Sequence, residues 1–590
     1  MTRRDGITAV VLFVATFALM AATERAIGIP RDESVYFEAG ERYAAWFADF
    51  AHRPHQASSR QDIARAFSYN AEHPVLLKNL FGLSHALFHN ALKAMRPISA
   101  FRVPAWLIAA TLPSLIYLLG VWTLGRIAGL FGALAFFAIP RHFFHGHIAA
   151  FDLPITAFWL ATVLAFLRAQ HERRWAYACG IAFGLALATK HNAFFLPLVL
   201  APLAVARAYR RSAPFPEGRR ALFHLVLSLA GTLAAWGVMW LSQGIERFVQ
   251  SVQPLSPPVA ALLLGVAATA FFHQRLAVAA PAAAETLLPL WAMAVIGPLV
   301  LYVHWPLLWH APVQGIAAWL SFHARHEHYP WMYLGQLLRE PPFPLAYVLV
   351  VTVLTVPASL SLPMALGTLA PIFQSLRMRR WPSFDMAVIL ANAAASILII
   401  SHPNVPHFGG VKHWFPSMPF LCLLAGASVA RAIDSLPWPR RASIPLAFGL
   451  LLAPAAIATA RVHPYGTAAY SEWAGGVPGA ASLGMQRQFW SSHVTGVLPW
   501  INSQASKGAR VWLHEVTSLA FRDYQENQML RSDLVPVWSP DQADIVAYQY
   551  HQEFREHEYQ TWEAFGTDRP AFGLYVDETP QVVVYVRRKP

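Results

Sequence analysis

The feature that most constrains this chain is a series of long apolar runs that are almost free of charge. They lie at 7–20, 106–124, 155–167, 221–241, 259–272, 287–303, 345–369, 386–400, 415–430 and 444–460. With their flanks, most reach the ~20 residues that a helix needs to cross a hydrocarbon core. A bilayer offers no water to backbone N–H and C=O groups, so only helices or closed barrels can span it. Barrel strands alternate apolar and polar positions, and continuous runs of this length exclude them. The chain is therefore expected to be mainly α and polytopic. Its 13% of charged residues, against roughly 25% in an ordinary soluble domain, agrees.

The formal net charge of +13 would point to nucleic acid in a soluble protein. Here the basic residues cluster in short loops between spans, so membrane orientation accounts for them and no nucleic-acid partner is expected. With a cytoplasmic N-terminus, one side holds Arg3, Arg4, Arg126, Arg168, Arg173, Arg174, Arg207, Arg210, Arg211, Arg219, Arg220, Arg275, Arg377, Arg379, Arg380, Arg431, Arg440 and Arg441. The short loops opposite hold only Lys190, Arg247 and Lys412. This alternation runs through about thirteen spans, the first of them read as an uncleaved helix rather than a signal peptide. Cys179 and Cys422 both lie inside apolar runs, so neither a disulfide framework nor zinc-type cysteine spacing is indicated.

The resulting organisation is a transmembrane module over 1–460 and an extracytoplasmic C-terminal domain over 461–590. Within the first, 23–102 forms an extracytoplasmic loop with amphipathic helices, and 304–343 a second large loop on that side. The tail is polar and mixed in charge. Its strand-like stretches at 510–514, 544–550, 571–576 and 581–586 read as a small α/β domain, the last two flanking a hairpin turn at 577–580.

Ionisable residues at span ends on one side are functional candidates. Arg31-Asp32-Glu33-Ser34-Val35-Tyr36 follows the first span, and its adjacent carboxylates suit a base and an orienting or cation-binding partner. A solvated loop start is the bland reading. In His73-Pro74-Val75-Leu76-Leu77-Lys78, Lys78 suits a phosphate as a point charge, and snorkelling at the interface is its competitor. His142, His145 and His147 precede Asp152, which opens a span either as a helix cap or as a site residue. These histidines lack the i, i+4 spacing of zinc hydrolases. Lys190 with His191, and Lys412 with His413, are cationic groups that bracket the same face; interfacial anchoring explains any one of them alone. Together they suit transfer chemistry on a lipid phosphate, with cations stabilising the leaving phosphate and a carboxylate taking the acceptor's proton.

These residues resemble those of the GT-C fold glycosyltransferases, in particular the dolichyl-phosphate-mannose protein mannosyltransferase-like group that includes the aminoarabinose transferases. The resemblance covers roughly 1–500. It rests on Asp32-Glu33 with Tyr36 after the first span, on the relaxed His73-Pro74-Val75-Leu76-Leu77-Lys78 segment, on Arg102 and on Asp152. The stretch from His463-Pro464-Tyr465 through Gly475-Gly476 to Trp490 is a further match. The resemblance implies a GT-C type fold in a bacterial inner membrane, a polyprenyl-phosphate-linked sugar donor, and a protein, lipid or glycan acceptor. It implies Asp32 as base or orienting carboxylate, Glu33 in support, and Asp152 assisting the acceptor. Donor contacts would come from Tyr36, His73, Lys78, Arg102, Lys190, His191, Lys412 and His413. The resemblance leaves the need for a cofactor open; a divalent cation, if one is used, would sit on Asp32 and Asp152. The alternative is a secondary transporter or a lipid-linked sugar flippase, but transporters place site residues near the bilayer midplane on repeated, broken helices, and no repeat is visible.

Overall fold

The computed structural model describes residues 2–212, 257–406 and 409–587. The expected run at 221–241, with Arg219, Arg220 and Arg247, lies outside them. Among the described residues, eight helices are long and apolar enough to cross a membrane. A ninth span arises if Arg126–Ala138 and Pro140–His147, bent by 74° at their junction, are one broken element. Two shorter apolar helices, Arg174–Leu187 and Phe384–Ile400, accompany them. The chain is an integral membrane protein. Ile7, Val10, Val11 and Val14 on the first helix, and Leu446, Leu450 and Ile457 on the last span, are exposed. Large apolar groups stand outward because lipid is the expected solvent there.

Two apolar runs fold differently from their sequence reading. The run at 345–369 is split into Tyr347–Thr355 and Ala358–Met378. Pro357 has no N–H to donate and forces Val356 into extended backbone (φ −92°, ψ 126°), so one helix stops and the next begins. The run at 415–430 becomes the end of a 3₁₀ segment, Gly410–Ser417, followed by the helix Met418–Ser435.

Three local features position the site. Helices Asp152–Ala169 and Arg174–Leu187 form an antiparallel hairpin, so Asp152 and Lys190 arrive at the same end of it. The first large loop folds into helices, chiefly Arg31–His52 and Leu76–His85. These two cross where both carry glycine: a Cβ on Gly82 would lie 1.9 Å from the Gly40 carbonyl oxygen. Such contact between backbones needs small residues.

The C-terminal sheet has strands β3 (Arg510–Leu513), β4 (Val535–Pro536), β5 (Ile545–Gln549), β6 (Phe572–Val576) and β7 (Thr579–Val586), in the order β4-β3-β5-β7-β6. A two-stranded hairpin, β1 (Trp331–Tyr333) and β2 (Gln336–Leu338), precedes it in the chain. β3 is parallel to β4 and β5, while β7 is antiparallel to β5 and β6. One face of the sheet shares an apolar core with the loop helices: Val511, Leu513, Ile545 and Val582 cluster with Tyr36, Phe37, Phe81 and Phe101. The sheet is thereby held against the start of helix Arg31–His52. Tyr524 and Arg522 reinforce the contact. The Ile29 N–H donates to the Tyr524 hydroxyl at 2.9 Å, and Arg522 pairs with Glu38 at 3.3 Å.

Asp523, at this interface beside a small cavity of about 110 Å³, is buried, and its Oδ2 has no hydrogen-bond partner. Burial pushes its carboxyl up to about 7, against the opposing pull of Arg522. Between the ordinary value of 3.8 and about 7, the native state keeps a proton that the unfolded chain has released. Stability therefore falls as pH rises through that window and levels off above it. Asp523→Asn is expected to raise the melting temperature above pH 7 and to leave it nearly unchanged at pH 4. Thermal melts across pH check this, and an unaltered pH slope in the variant would count against it.

Candidate functional site

A cavity of about 920 Å³ opens where the span ends meet the loop helices and the C-terminal sheet. Of the residues singled out from sequence, Asp32, Tyr36, His73, Asp152, Lys190, His191, Lys412 and His413 line it. Glu33, Lys78 and Arg102 do not.

The adjacent carboxylates part because consecutive helical residues point about 100° away from each other. Asp32, in the first turn of helix Arg31–His52, faces the cavity, and among the described residues nothing hydrogen-bonds its carboxylate. Glu33 turns inward. It takes two bonds from Arg102, from Nε at 2.8 Å and Nη2 at 2.6 Å, and one from the Ala149 N–H at 2.7 Å. Arg102 is fully buried within the helix Pro97–Thr123, and its remaining donors reach the Ile27 and Gly28 carbonyls. In this structure the two form a buried pair at the turn before Asp32, and neither lines the cavity. Lys78 is likewise fully buried. Its ammonium donates to the Asn70 carbonyl and side chain and to the His73 carbonyl, and burial pulls it down to about 7. It fastens the 70–73 turn and does not reach the cavity.

Asp152 is the first residue of its helix, yet its side chain makes no capping bond. It pairs with Lys190 at 2.7 Å, both side chains being largely buried. Capping is thus set aside. Lys412 sits under the Trp490 ring, Nζ 3.8 Å from its centroid. Gly409 makes room for it: its φ is +78°, and a Cβ there would lie 2.1 Å from the Lys412 Cε. Trp490 and Ser491 are themselves left-handed, at φ +69° and +59°. Non-glycine residues hold that conformation only where the surroundings impose it. The Trp490 carbonyl accepts the Arg31 N–H at 2.9 Å, which joins this strained corner to the start of the Asp32 helix.

Histidines line another wall. His191 stacks on His323 with ring centroids 3.7 Å apart, and His73 lies 5.6 Å from His323. Burial pulls His73 well below its ordinary range and His323 down to about 4, with Lys190 acting in the same sense. These two rings are neutral at pH 7, and the positive charge of the cavity is carried by Arg31, Lys190 and Lys412. Nδ1 of His73, Nδ1 of His191 and Oδ1 of Asn192 are buried without a hydrogen-bond partner among the described residues.

The metal reading of the 142–147 histidines meets a packing explanation. His142 Nδ1 donates to the Phe136 carbonyl and His147 Nδ1 to that of Phe143. His147 Nε2 bonds the Thr23 hydroxyl. His145 is boxed in by Phe415, Phe489 and Trp490.

Sequence reasoning did not name His323, His326, His328 and Trp331 of the second large loop, nor Glu515, His551 and Glu553 from the C-terminal sheet, all of which line the cavity. The run of histidine and aromatic residues at 323–331 was a usable signal. The other three have none, since strand pairing brings them there.

Comparison with known proteins bears on one stretch directly. Residues 72–242 match the family model described as dolichyl-phosphate-mannose-protein mannosyltransferase. No curated protein matches the chain. Among solved structures, the chain is similar to ArnT from Cupriavidus metallidurans in the apo state. That match has 14% identity, covers 98% of each chain and has a TM-score of 0.41. It is also similar to the oligosaccharyltransferase AglB from Archaeoglobus fulgidus, with 13% identity, 96% of this chain and 72% of that chain covered, and a TM-score of 0.46. The segment that carries His73, Asp152, Lys190 and His191 is thus similar in sequence to the dolichyl-phosphate-mannose-protein mannosyltransferases.

Proposed function

We propose that this protein is a membrane glycosyltransferase that moves a sugar from a polyprenyl-phosphate-linked donor to an acceptor hydroxyl on the extracytoplasmic side, with Asp32 as the base or orienting carboxylate. One observation carries the reading: the cavity has two chemically distinct parts. Asp32, Asp152, Lys190 and Lys412 form an ionic end where spans terminate. Phe194, Phe195, Leu320, Ile399 and Ile400 form an apolar wall beside it. A ligand with an anionic head and a long hydrocarbon tail satisfies both. The match of residues 72–242 to a lipid-linked sugar transferase family supports the same class.

In this reading Lys412 and Lys190 stabilise the phosphate as it departs, acting where negative charge builds up. Asp152 orients Lys190. Asp32, whose carboxylate takes no hydrogen bond among the described residues, receives or aligns the acceptor hydroxyl. The unpartnered atoms of His73, His191 and Asn192 suit sugar hydroxyls, because buried polar atoms require hydrogen bonds. Any divalent cation at Asp32 and Asp152 would have to compete with Lys190 for the second carboxylate. In this reading the N-terminus is cytoplasmic and the C-terminal sheet extracytoplasmic, an orientation that the positive-inside distribution supports; a bacterial inner membrane is the proposed location.

The test is transfer of label from a panel of radiolabelled polyprenyl-phosphate sugars to a cell-envelope extract by the purified protein in lipid. Transfer by the wild type establishes the class. Flux of the labelled lipid across the vesicle, without transfer, would replace this reading with a flippase. Lys412→Met removes one charge from the phosphate end. A charge-assisted contact of about 1.5–3 kcal/mol corresponds to a rise of about 10- to 100-fold in donor KM, with acceptor KM little changed. A change confined to the acceptor would remove Lys412 from the donor site.

A further inference from the structure

At the C-terminal edge of the sheet, beyond the carboxylates and lysines of the ionic end, stands a second cluster of ligating groups. Among the described residues, one set of His, Cys, Asp or Glu side chains brings three donor atoms within 4.8 Å of one another: His514, Glu515 and His557. We propose that these three form a binding site for a divalent transition-metal ion, held by two imidazoles and one carboxylate, at the rim of the cavity.

The local geometry is that of a prepared site. His514 directly follows β3 and is fully buried. Its Nδ1 lies 3.1 Å from the Gln549 carbonyl, which can only accept, so Nδ1 carries the proton and Nε2 presents a lone pair. A ligating histidine usually donates its second nitrogen to a carbonyl in this way, which fixes tautomer and ring orientation. The Gln549 side chain returns the bond, donating to the His514 carbonyl at 2.7 Å.

His514 Nε2 lies 2.9 Å from His557 Nδ1. An ion about 2.1 Å from each nitrogen would set them about 3.0–3.4 Å apart, a movement of a few tenths of an ångström for the half-exposed His557. Glu515 follows with φ +59°, a left-handed conformation that a glutamate rarely adopts. His551 stands beside the cluster, ring centroid 6.3 Å from that of His514, buried and with Nε2 lacking a partner. Two imidazoles and a carboxylate suit zinc or another late first-row ion rather than magnesium or calcium.

The site is joined to the cavity through one bond. Glu515 pairs with Arg31 at 2.6 Å, and Arg31 is the neighbour of Asp32. An ion on Glu515 competes with that guanidinium, so loading the site weakens the Arg31–Glu515 pair at the cavity wall. The site itself stands whether or not the cavity carries out sugar transfer.

The full-length protein, purified in detergent and stripped with chelator, is titrated with Zn²⁺ by calorimetry, and its metal content is measured after dialysis. One equivalent is expected in the wild type. At least a tenfold weaker affinity is expected in His557→Gln, and affinity equal to or tighter than wild type in Arg31→Gln. Zinc should raise the melting temperature of the wild type and not that of His557→Gln. Absence of a stoichiometric equivalent in the wild type overturns the proposal, as does binding undiminished in His557→Gln. Glu515→Gln, with a side chain of nearly the same shape, is the second variant should His557→Gln fail to purify, and the same two outcomes apply to it.

Discussion

Asp32→Asn is expected to lower sugar transfer by about 10²- to 10⁴-fold, the range that a positioned general base contributes, while the protein remains folded. The variant keeps the shape of the side chain and removes only its charge and basicity. Its environment makes the test clean. Asp32 lines the cavity and no protein group hydrogen-bonds its carboxylate among the described residues, so no native hydrogen bond is broken. Neighbouring Glu33 cannot substitute, because it is committed to Arg102 and to the Ala149 N–H. Transfer rate in reconstituted lipid, with melting temperature and monodispersity as controls for folding, decides the matter. A rate within a few-fold of wild type would remove Asp32 as base and leave it at most a surface carboxylate.

Glu33→Ala is expected to act on stability instead, by about 3–5 kcal/mol, the usual effect of deleting one partner of a buried ion pair. Arg102 is fully buried, and the loss leaves its guanidinium with the Ile27 and Gly28 carbonyls and with Glu24, whose carboxylate is 3.8 Å away. The Ala149 N–H also loses its acceptor. The expected result is a large drop in melting temperature and in yield of monodisperse protein, with surviving enzyme keeping its donor KM. Replacing both partners by apolar residues, Glu33→Leu with Arg102→Met, should recover part of the loss, because the uncompensated charge is then gone. A raised donor KM at unchanged stability would return Arg102 to the phosphate site and refute the anchoring role.

These two adjacent positions show how far sequence reasoning reaches. Asp32 and Glu33 were legible as a functional carboxylate pair, but a helix turns consecutive side chains apart. Which of them faces the cavity depends on where the first helical turn docks, and that is set by Arg102, some seventy residues away. Lys78 illustrates the same limit. A lysine in a loop near the membrane reads as a surface cation, and only the fold of 70–78 around its ammonium shows it buried. By contrast, Asp152, Lys190 and Lys412 were legible as span-end groups on one face, because hydropathy and the alternation of basic loops locate span ends without knowledge of packing.

The sequence alone determined that this is a many-spanned helical membrane protein, where its spans broadly lie, and which polar residues crowd one face. Those are consequences of local composition and of a solvent that tolerates nothing but satisfied backbone. The tertiary structure alone decided which of the polar residues are neutralised in the interior and which face the cavity. It also decided that the second loop and the C-terminal sheet complete the wall with His323, Trp331, Glu515 and His551. Burial and ion pairing are properties of contacts between distant segments, and no local pattern of residues encodes them.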